Sequence, residues 1–321
     1  MLLVKLLLAA REGADHFHLV ETLDLPDLEI VRAETPEEIV TAIADADVFY
    51  GFPTAEVVRA APKLRWIQSP SAGVEYVARV PELVDSDVLL TNTRGAHGPS
   101  IGEHTFALLL ALTRRIPECL DLQRQHKWGR VELYRTSREI KGATMGIFGY
   151  GAIGRGVAQR ATAFEMNLLA VDAQAVNGEP FLDEVWPLSR LPELLERSDV
   201  VVIAAPLTAE SRDLIDAAML ARMRPDAYLI IVSRGGIVNE TALAAALGEG
   251  RLAGAGIDVT EVEPLAESSP LWNAPNTVIT PHLAGDSFQK ERRCVEILCD
   301  NLQRFSRGEE LVNLVNKRRG Y

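Results

Sequence analysis

Three short stretches each place an ionisable residue where an apolar run ends. "LIIVSRGGIVNE" ends its run at Arg234, "AGIDVTEVEPL" carries Asp258 and Glu263, and "VITPHLAGDS" carries His282. Histidine is the side chain best suited to exchange a proton near neutral pH. A carboxylate beside it stabilises the imidazolium and fixes the ring, and Glu263 suits that part. A guanidinium can grip a carboxylate through two parallel hydrogen bonds. Taken singly, each residue has an ordinary alternative: a surface arginine in a turn, a pair of loop acids, a packed histidine. Taken together they supply what reduction of a ketone beside a carboxylate needs. That is a proton donor, an orienting charge and a dry site for a hydride carrier. The other histidines are read as structural or solvated. His16 and His18 lie in an N-terminal loop, His97 near the start of a helix, His104 within it and His126 in a polar segment.

A hydride carrier has its own candidate site at residues 146–154, "GIFGYGAIG". Gly149, Gly151 and Gly154 have the G-x-G-x-x-G spacing. The motif alone is weak, and its context decides. An apolar strand, Met145 to Phe148, runs into Gly149, and a helical stretch follows. The next strand ends in Asp172, 23 residues after Gly149. Gly149 permits the tight turn, Gly151 lets backbone approach a pyrophosphate, and Gly154 lets helix and strand pack closely. The helix N-terminus offers N–H groups and a partial positive charge to the phosphates. Asp172 can accept both ribose hydroxyls and would repel a 2′-phosphate. No arginine follows it in "DAQAVNG", so NAD is favoured over NADP.

These residues need a framework of strands to hold them. In the first hundred residues, 2–9, 28–33, 46–51, 64–70 and 88–93 read as strands, and 35–45 as a helix capped by Thr35 with Glu38. The segment 99–125 reads as one long helix. It has a second capping box at Ser100 and Glu103, a buried stripe through Ile101, Thr105, Leu108, Leu109, Leu112 and Ile116, and a kink at Pro117. Its apolar character predicts packing against another domain or subunit. A second alternating series follows, with strands at 143–149, 167–172, 199–206, 227–233, 253–259 and 276–282. Helices fit at 152–164, 190–197, 216–223 and 239–248. Six strands make a dinucleotide-binding sheet. The tail, 287–308, is a helix with Val295, Leu298, Leu302 and Phe305 on one stripe. The whole predicts an α/β protein of two Rossmann-like, doubly wound parallel-sheet domains. The nucleotide domain, 99–284, is inserted into a discontinuous substrate domain, 1–98 and 285–321. Two crossings make a hinge, with a crevice that closes over cofactor and acid.

Bulk properties agree with two globular domains. The chain has 321 residues, 47% hydrophobic and 24% charged, and a second core is expected at that length. The net charge of −12 argues against nucleic acid or an anionic membrane as partner. Cys119, Cys294 and Cys299 form no C-x-x-C pair, which predicts reduced thiols in a cytoplasmic protein. The apolar start, "MLLVKLLLAAREG", is read as a buried strand, not a signal peptide: no charge precedes it and Lys5 interrupts it. No apolar run approaches a membrane span.

At this point the sequence resembles the D-isomer-specific 2-hydroxyacid dehydrogenase family. The resemblance runs from "SAGVEYV" (71–77) to the C-terminal helix. It is carried by "TNTRGAHGPSIGEHTFALLLALTRR", "GATMGIFGYGAIGRGVA", "AAPLTAESRDLI", "RGGIVNETAL", "GIDVTEVEPL" and "PLWNAPNTVITPHLAG". The spacing fits too, with Glu263 29 residues after Arg234 and His282 19 further on. The resemblance implies that His282 is the acid/base, Glu263 its partner and Arg234 the substrate-orienting cation. It implies that the N–H groups of Ala72 and Gly73 bind the substrate carboxylate and that Phe52 lines the side-chain pocket. Ala152 and Ile153 would meet the pyrophosphate. Ala205, Pro206, Ser211, Val232, Ser233, Asp258 and Gly285 would line the rest of the cofactor site. A homodimer joined through the 100–125 region is implied as well.

Three positions depart from the usual pattern: Ile231 for Asn, Thr260 for Phe or Tyr, and Gly285-Asp286 for Gly-Ser. They flank the triad and bear on substrate preference. Formate dehydrogenases place Gln where Glu263 stands, and phosphite dehydrogenases carry a lysine in the "SAGVE" loop, so neither branch fits. The expected activity is NADH-dependent reduction of a 2-keto acid: glyoxylate, hydroxypyruvate, pyruvate or a bulkier apolar acid. Nothing near Phe52 suggests a substrate phosphate. The rival reading is a corepressor-like protein that senses NAD(H) on the same fold. The lack of a disordered interaction tail counts against it.

Overall fold

The computed structural model describes residues 4–10, 16–174 and 177–318. The chain divides into two compact units. One runs through His97 and resumes at Ser287, and the other spans Gly98–Asp286.

The first unit holds five parallel strands: β1 (Val4–Ala9), β2 (Leu28–Ala33), β3 (Val48–Tyr50), β4 (Trp66–Gln68) and β5 (Leu89–Thr91). Their order is β2-β1-β3-β4-β5. Positions 2 and 3 of the expected first strand lie outside the described residues. Successive residues of β1 face opposite sides. Leu7 joins Phe49, Ile67 and Leu90 in one core, while Leu6 and Leu8 join Tyr50 and Trp66 in another. Both faces are covered, so Leu6, Leu7 and Leu8 can all be fully buried. That is why a continuous apolar run, not an alternating one, marks this strand. The C-terminal helix, Phe288–Arg307, covers the second face with Val295, Leu298 and Leu302. It ends at Gly308, whose φ of 69° is the left-handed cap that glycine adopts without strain. The Thr35–Glu38 capping box is present in full.

The second unit holds β6 (Thr144–Phe148), β7 (Asn167–Asp172), a hairpin of β8 (Asn177–Glu179) and β9 (Leu182–Glu184), and then β10 (Trp186–Pro187), β11 (Val200–Ile203), β12 (Tyr228–Ile231), β13 (Gly254–Ile257) and β14 (Thr277–Ile279). The parallel sheet has seven strands, ordered β10-β7-β6-β11-β12-β13-β14, one more than the six read from the sequence. The extra strand, β10, is two residues long and carries no apolar run. The order reverses between β6 and β11, the place where a doubly wound sheet opens a crevice.

The expected long helix is two. Gly98–Thr113 is followed by Ile116–Arg124, with Arg115 left-handed between them at φ 57°. Pro117 has no N–H to donate, and its ring clashes with the carbonyl four residues back. The first helix therefore stops short of it, and Pro117 falls in the first turn of the second, where a missing donor costs nothing. The first helix also starts at Gly98, so Ser100 lies inside its first turn and not at its cap. Glu103 pairs instead with Arg160 at 3.0 Å. Ile101, Phe106, Leu108, Leu109 and Leu112 pack against Met145 and Ile147 of this unit's own sheet. The exposed apolar side chains lie further on: Ile116, Leu120, Trp128, Val131 and Tyr134. Among the described residues no helix is long and apolar enough to cross a membrane.

Candidate active site

The turn after β6 is shaped by what its glycines exclude. Gly149 has φ 95°, and a Cβ there would lie 2.3 Å from the Ala205 nitrogen. A Cβ on Gly154 would lie 2.2 Å from the Gly149 carbonyl oxygen, so only glycine lets the helix start this close to the strand. Gly151 differs: a Cβ there would meet nothing within 4 Å, which leaves an open approach to its backbone. The helix it precedes, Ala152–Ala163, has no side chain capping its N-terminus. Its first N–H groups, at Ala152 and Ile153, are therefore available to an anion. Asp172, at the end of β7, takes the Tyr150 N–H at 2.7 Å and the Gln174 N–H at 3.1 Å. Each of its oxygens keeps a lone pair for a further donor.

Two buried polar atoms in this region have no hydrogen-bond partner among the described residues. The Tyr150 hydroxyl lies in the glycine turn and Ser233 Oγ follows β12. Buried polar groups of this kind are normally satisfied, and a bound molecule with polar atoms would satisfy them. With the glycine cradle and the uncapped helix, they show that the residues present fit a dinucleotide. Ala205 and Val232 are buried at the ends of β11 and β12. Ser211 closes a turn, taking the Thr208 N–H and donating to the Pro206 carbonyl, each at 2.8 Å.

The acid–base residues come together at the ends of β13 and β14. Glu263 Oε2 lies 2.7 Å from His282 Nδ1, and Oε1 accepts the Thr260 N–H at 3.1 Å. A carboxylate can only accept here, so Nδ1 carries the proton and Nε2 is left to face a substrate. His282 sits at φ 51°, a left-handed conformation that a non-glycine residue holds only when its surroundings enforce it. Asp258 enforces it. Its backbone carbonyl takes the His282 N–H at 2.8 Å. Its carboxylate takes the N–H groups of Leu283 and Ala284, each at 3.0 Å, and the Thr280 hydroxyl at 2.6 Å. Asp258 is thus the brace of the histidine loop, whatever else it touches.

His104 belongs to this brace, the structural and not the solvated of the two alternatives read from the sequence. Its Nε2 is 2.9 Å from Thr280 Oγ1 and 3.5 Å from Asp258 Oδ1. The signal was in the sequence: His104 lies three residues after Ile101 and four before Leu108, so it falls on the buried stripe. Arg234 is half-buried and donates to its own neighbour's carbonyl, Ser233, at 2.7 Å. Gly235 explains the position of Arg234, because a Cβ there would overlap the Thr260 carbonyl. The arginine turn is therefore pressed against the loop that carries Glu263.

The first unit holds the remaining expected residues. Asn92 Nδ2 pins the Ala72 carbonyl at 2.9 Å. The Gly73 N–H, expected to be open, donates to Ser71 Oγ at 3.2 Å. Phe52 is exposed, with its ring edge-on to Tyr76 at 5.5 Å. Tyr76 in turn donates to Ser69 Oγ at 2.7 Å. The sequence reading named neither this tyrosine nor the serine that orients it.

Comparison with known proteins agrees with the geometry. The family model of the D-isomer specific 2-hydroxyacid dehydrogenase NAD binding domain matches residues 106–284. A glyoxylate reductase of Thermofilum pendens is 36% identical over 88% of this chain and 84% of its own. One from Korarchaeum cryptofilum is 36% identical over 91% and 90%. The crystal structure of a D-isomer specific 2-hydroxyacid dehydrogenase family protein from Aeromonas salmonicida superposes with a TM-score of 0.87. It is 33% identical and covers 98% of this chain and 99% of that one. A dinucleotide-dependent oxidoreductase acting on CH–OH groups is the class that this fold and these relatives define. The chain belongs to the D-isomer-specific 2-hydroxyacid dehydrogenase family.

Proposed function

We propose that the protein reduces a 2-keto acid to the D-2-hydroxy acid with NADH, reversibly, with His282 as the proton donor. The observation that carries this reading is the 2.7 Å contact between His282 Nδ1 and Glu263 Oε2, in the unit whose glycine turn fits a dinucleotide. The reduced nicotinamide, when bound, supplies the hydride. His282 Nε2 gives its proton to the ketone oxygen, and Glu263 steadies the imidazolium that precedes that transfer. Arg234 turns from the Ser233 carbonyl to hold the substrate by its charge. The N–H groups of Ala72 and Gly73 take the substrate carboxylate, the second exchanging its bond to Ser71. Phe52 lies against the side chain.

NAD is preferred to NADP because Asp172, at the end of β7, would repel a 2′-phosphate. Arg155, whose charge reaches Asp172, is already engaged with Glu179 through two bonds of 2.9 and 2.7 Å. The family match supports a dinucleotide. A homodimer built on the 100–125 region and its continuation would cover Ile116, Leu120, Trp128, Val131 and Tyr134. The three cysteines form no disulfide, which suits a cytoplasmic setting. A screen of 2-keto acids that follows NADH absorbance tests the reading. No turnover with any acid, with NADH binding intact, would overturn it.

A further inference from the structure

The first unit contains a cavity of about 390 Å³. It lies beyond the carboxyl ends of β1 and β3, the two strands between which this sheet reverses its order. That is where an open parallel sheet leaves a crevice for a ligand. Ala10, Phe17, Tyr50, Phe52, Cys294 and Val295 form much of its wall. Phe52 is the residue assigned above to the substrate side chain, so the cavity and that assignment share a wall.

Size decides what the cavity can hold. About 150 Å³ is enough for a benzene ring. The hydrogen of glyoxylate or the methyl of pyruvate would leave most of 390 Å³ unfilled, and a wall without partner atoms loses its dispersion contacts. The lining is mainly apolar and aromatic, with the Phe17 and Tyr50 rings edge-on at 5.3 Å. Polar groups interrupt it at Tyr50, His16, Lys290 and Glu291. Tyr50 is only 7% exposed, and His16 Nε2, in the same wall, is buried without a hydrogen-bond partner among the described residues. Burial, then the nearby Cys294 and Glu291, push the ionisation of Tyr50 up, so its hydroxyl stays a neutral donor. A buried polar atom left unpaired is unfavourable, and a ligand atom would satisfy it.

We infer that this cavity takes the substrate's tail, and that the preferred substrates are 2-keto acids with a bulky apolar tail ending in a hydrogen-bonding atom. The inference rests on the keto-acid reading given above. 4-Hydroxyphenylpyruvate tests both halves of it: the ring fills the cavity and the ring hydroxyl meets the polar groups of its wall, Tyr50 and His16.

The experiment measures kcat/KM with NADH for glyoxylate, pyruvate, phenylpyruvate and 4-hydroxyphenylpyruvate, in the wild type, Ala10→Phe and Tyr50→Phe. The aryl acids should exceed the two small ones by roughly tenfold or more. Ala10→Phe narrows the cavity and should lower the phenylpyruvate-to-pyruvate ratio by about tenfold. Tyr50→Phe should remove a preference of roughly two- to tenfold for the hydroxylated ring. Should Ala10→Phe not fold, Cys294→Leu fills the space from the helix side and reads the same ratio. A higher kcat/KM for glyoxylate or pyruvate, or an equal loss with every acid, overturns the tail cavity and leaves keto-acid reduction standing. If no acid is reduced, the keto-acid reading fails, and thermal-shift titration with the same acids decides on the cavity. A larger shift with phenylpyruvate than with pyruvate, removed by Ala10→Phe, supports it. Equal or absent shifts overturn it.

Discussion

The two sheets of this protein reverse their strand order in the same way and line the resulting crevice differently. In the second unit the crevice is lined by backbone. Gly149 and Gly154 bring strand and helix together, Gly151 leaves main chain open, and an uncapped helix presents its amides. In the first unit the crevice is lined by side chains, with Phe17, Tyr50 and Phe52 around a cavity. Backbone amides suit a ligand part that never changes, such as a pyrophosphate. Side-chain walls suit a part that differs from one substrate to the next. The architecture is shared, and the proposed division of labour lies in what fills the ends of the strands.

The sharpest way to break this contrast is at His282. His282→Ala should lower kcat by about 10²- to 10⁴-fold, the usual worth of a positioned proton donor. NADH binding, measured by fluorescence, should persist, because the backbone cradle does not depend on the ring. Near-normal turnover would place the proton donor elsewhere. The cradle itself is tested by Gly154→Ala. The new methyl would meet a backbone oxygen, not a flexible side chain, so the turn must shift. NADH affinity should fall by roughly tenfold or more and the second unit should lose about 1–3 kcal/mol. Unchanged NADH affinity would show that the close approach is not needed.

Cofactor choice offers a narrower test. Asp172→Ser with Glu179→Gln removes the repelling acid and frees Arg155 from its two bonds to Glu179. The NADPH-to-NADH ratio of kcat/KM should rise by about tenfold or more, since an arginine fork is well matched to a phosphate. No change in that ratio would mean that Asp172 does not face the adenosine ribose. His104→Phe keeps the bulk on the buried stripe and removes the bond to Thr280. The loss of one buried hydrogen bond should cost roughly a few-fold to tenfold in kcat through a looser His282 loop, with KM for NADH little altered. His104→Asn, which retains a donor, should recover part of that loss. A uniform loss of stability without this split would reduce His104 to a packing residue.

How much of this was legible in the sequence varies with the distance between partners. The glycine turn and Asp172 are local signals, set by an apolar run, three glycines and a strand end. β10 was not legible, because Trp186 and Pro187 are too short a run to show any periodicity. The break in the first long helix was half legible. Pro117 signals that the helix cannot run on, but the place where it stops is set by the left-handed Arg115. The Asp258 brace was not legible at all. Its partners, the amides of Leu283 and Ala284, lie 25 and 26 residues away, and only the adjacency of β13 and β14 brings them together. His104 fell between these cases: its stripe was visible, but the carboxylate it would meet was not.

The smallest expected effect comes from the first unit and sharpens the contrast from the other side. The Thr35–Glu38 box sits on an exposed helix start and touches no part of the proposed chemistry. Glu38 accepts the N–H groups of Glu34 at 2.9 Å and Thr35 at 3.1 Å. These backbone bonds, Glu34's first, hold its carboxyl below the ordinary value of 4.5. A carboxyl whose folded value is depressed contributes stability above its unfolded pKa and loses it as pH falls through the folded one. Glu38→Ala should therefore lower Tm by roughly 1–3 °C at neutral pH, and the gap should close as the pH drops below 4.5. Hydrogen exchange should place the loosened amides at residues 34–38, while NADH affinity and kcat stay as they were. A gap that persists unchanged in acid would show that the helix gains nothing from the charge of Glu38. A change in NADH affinity would show that the two crevices are not independent.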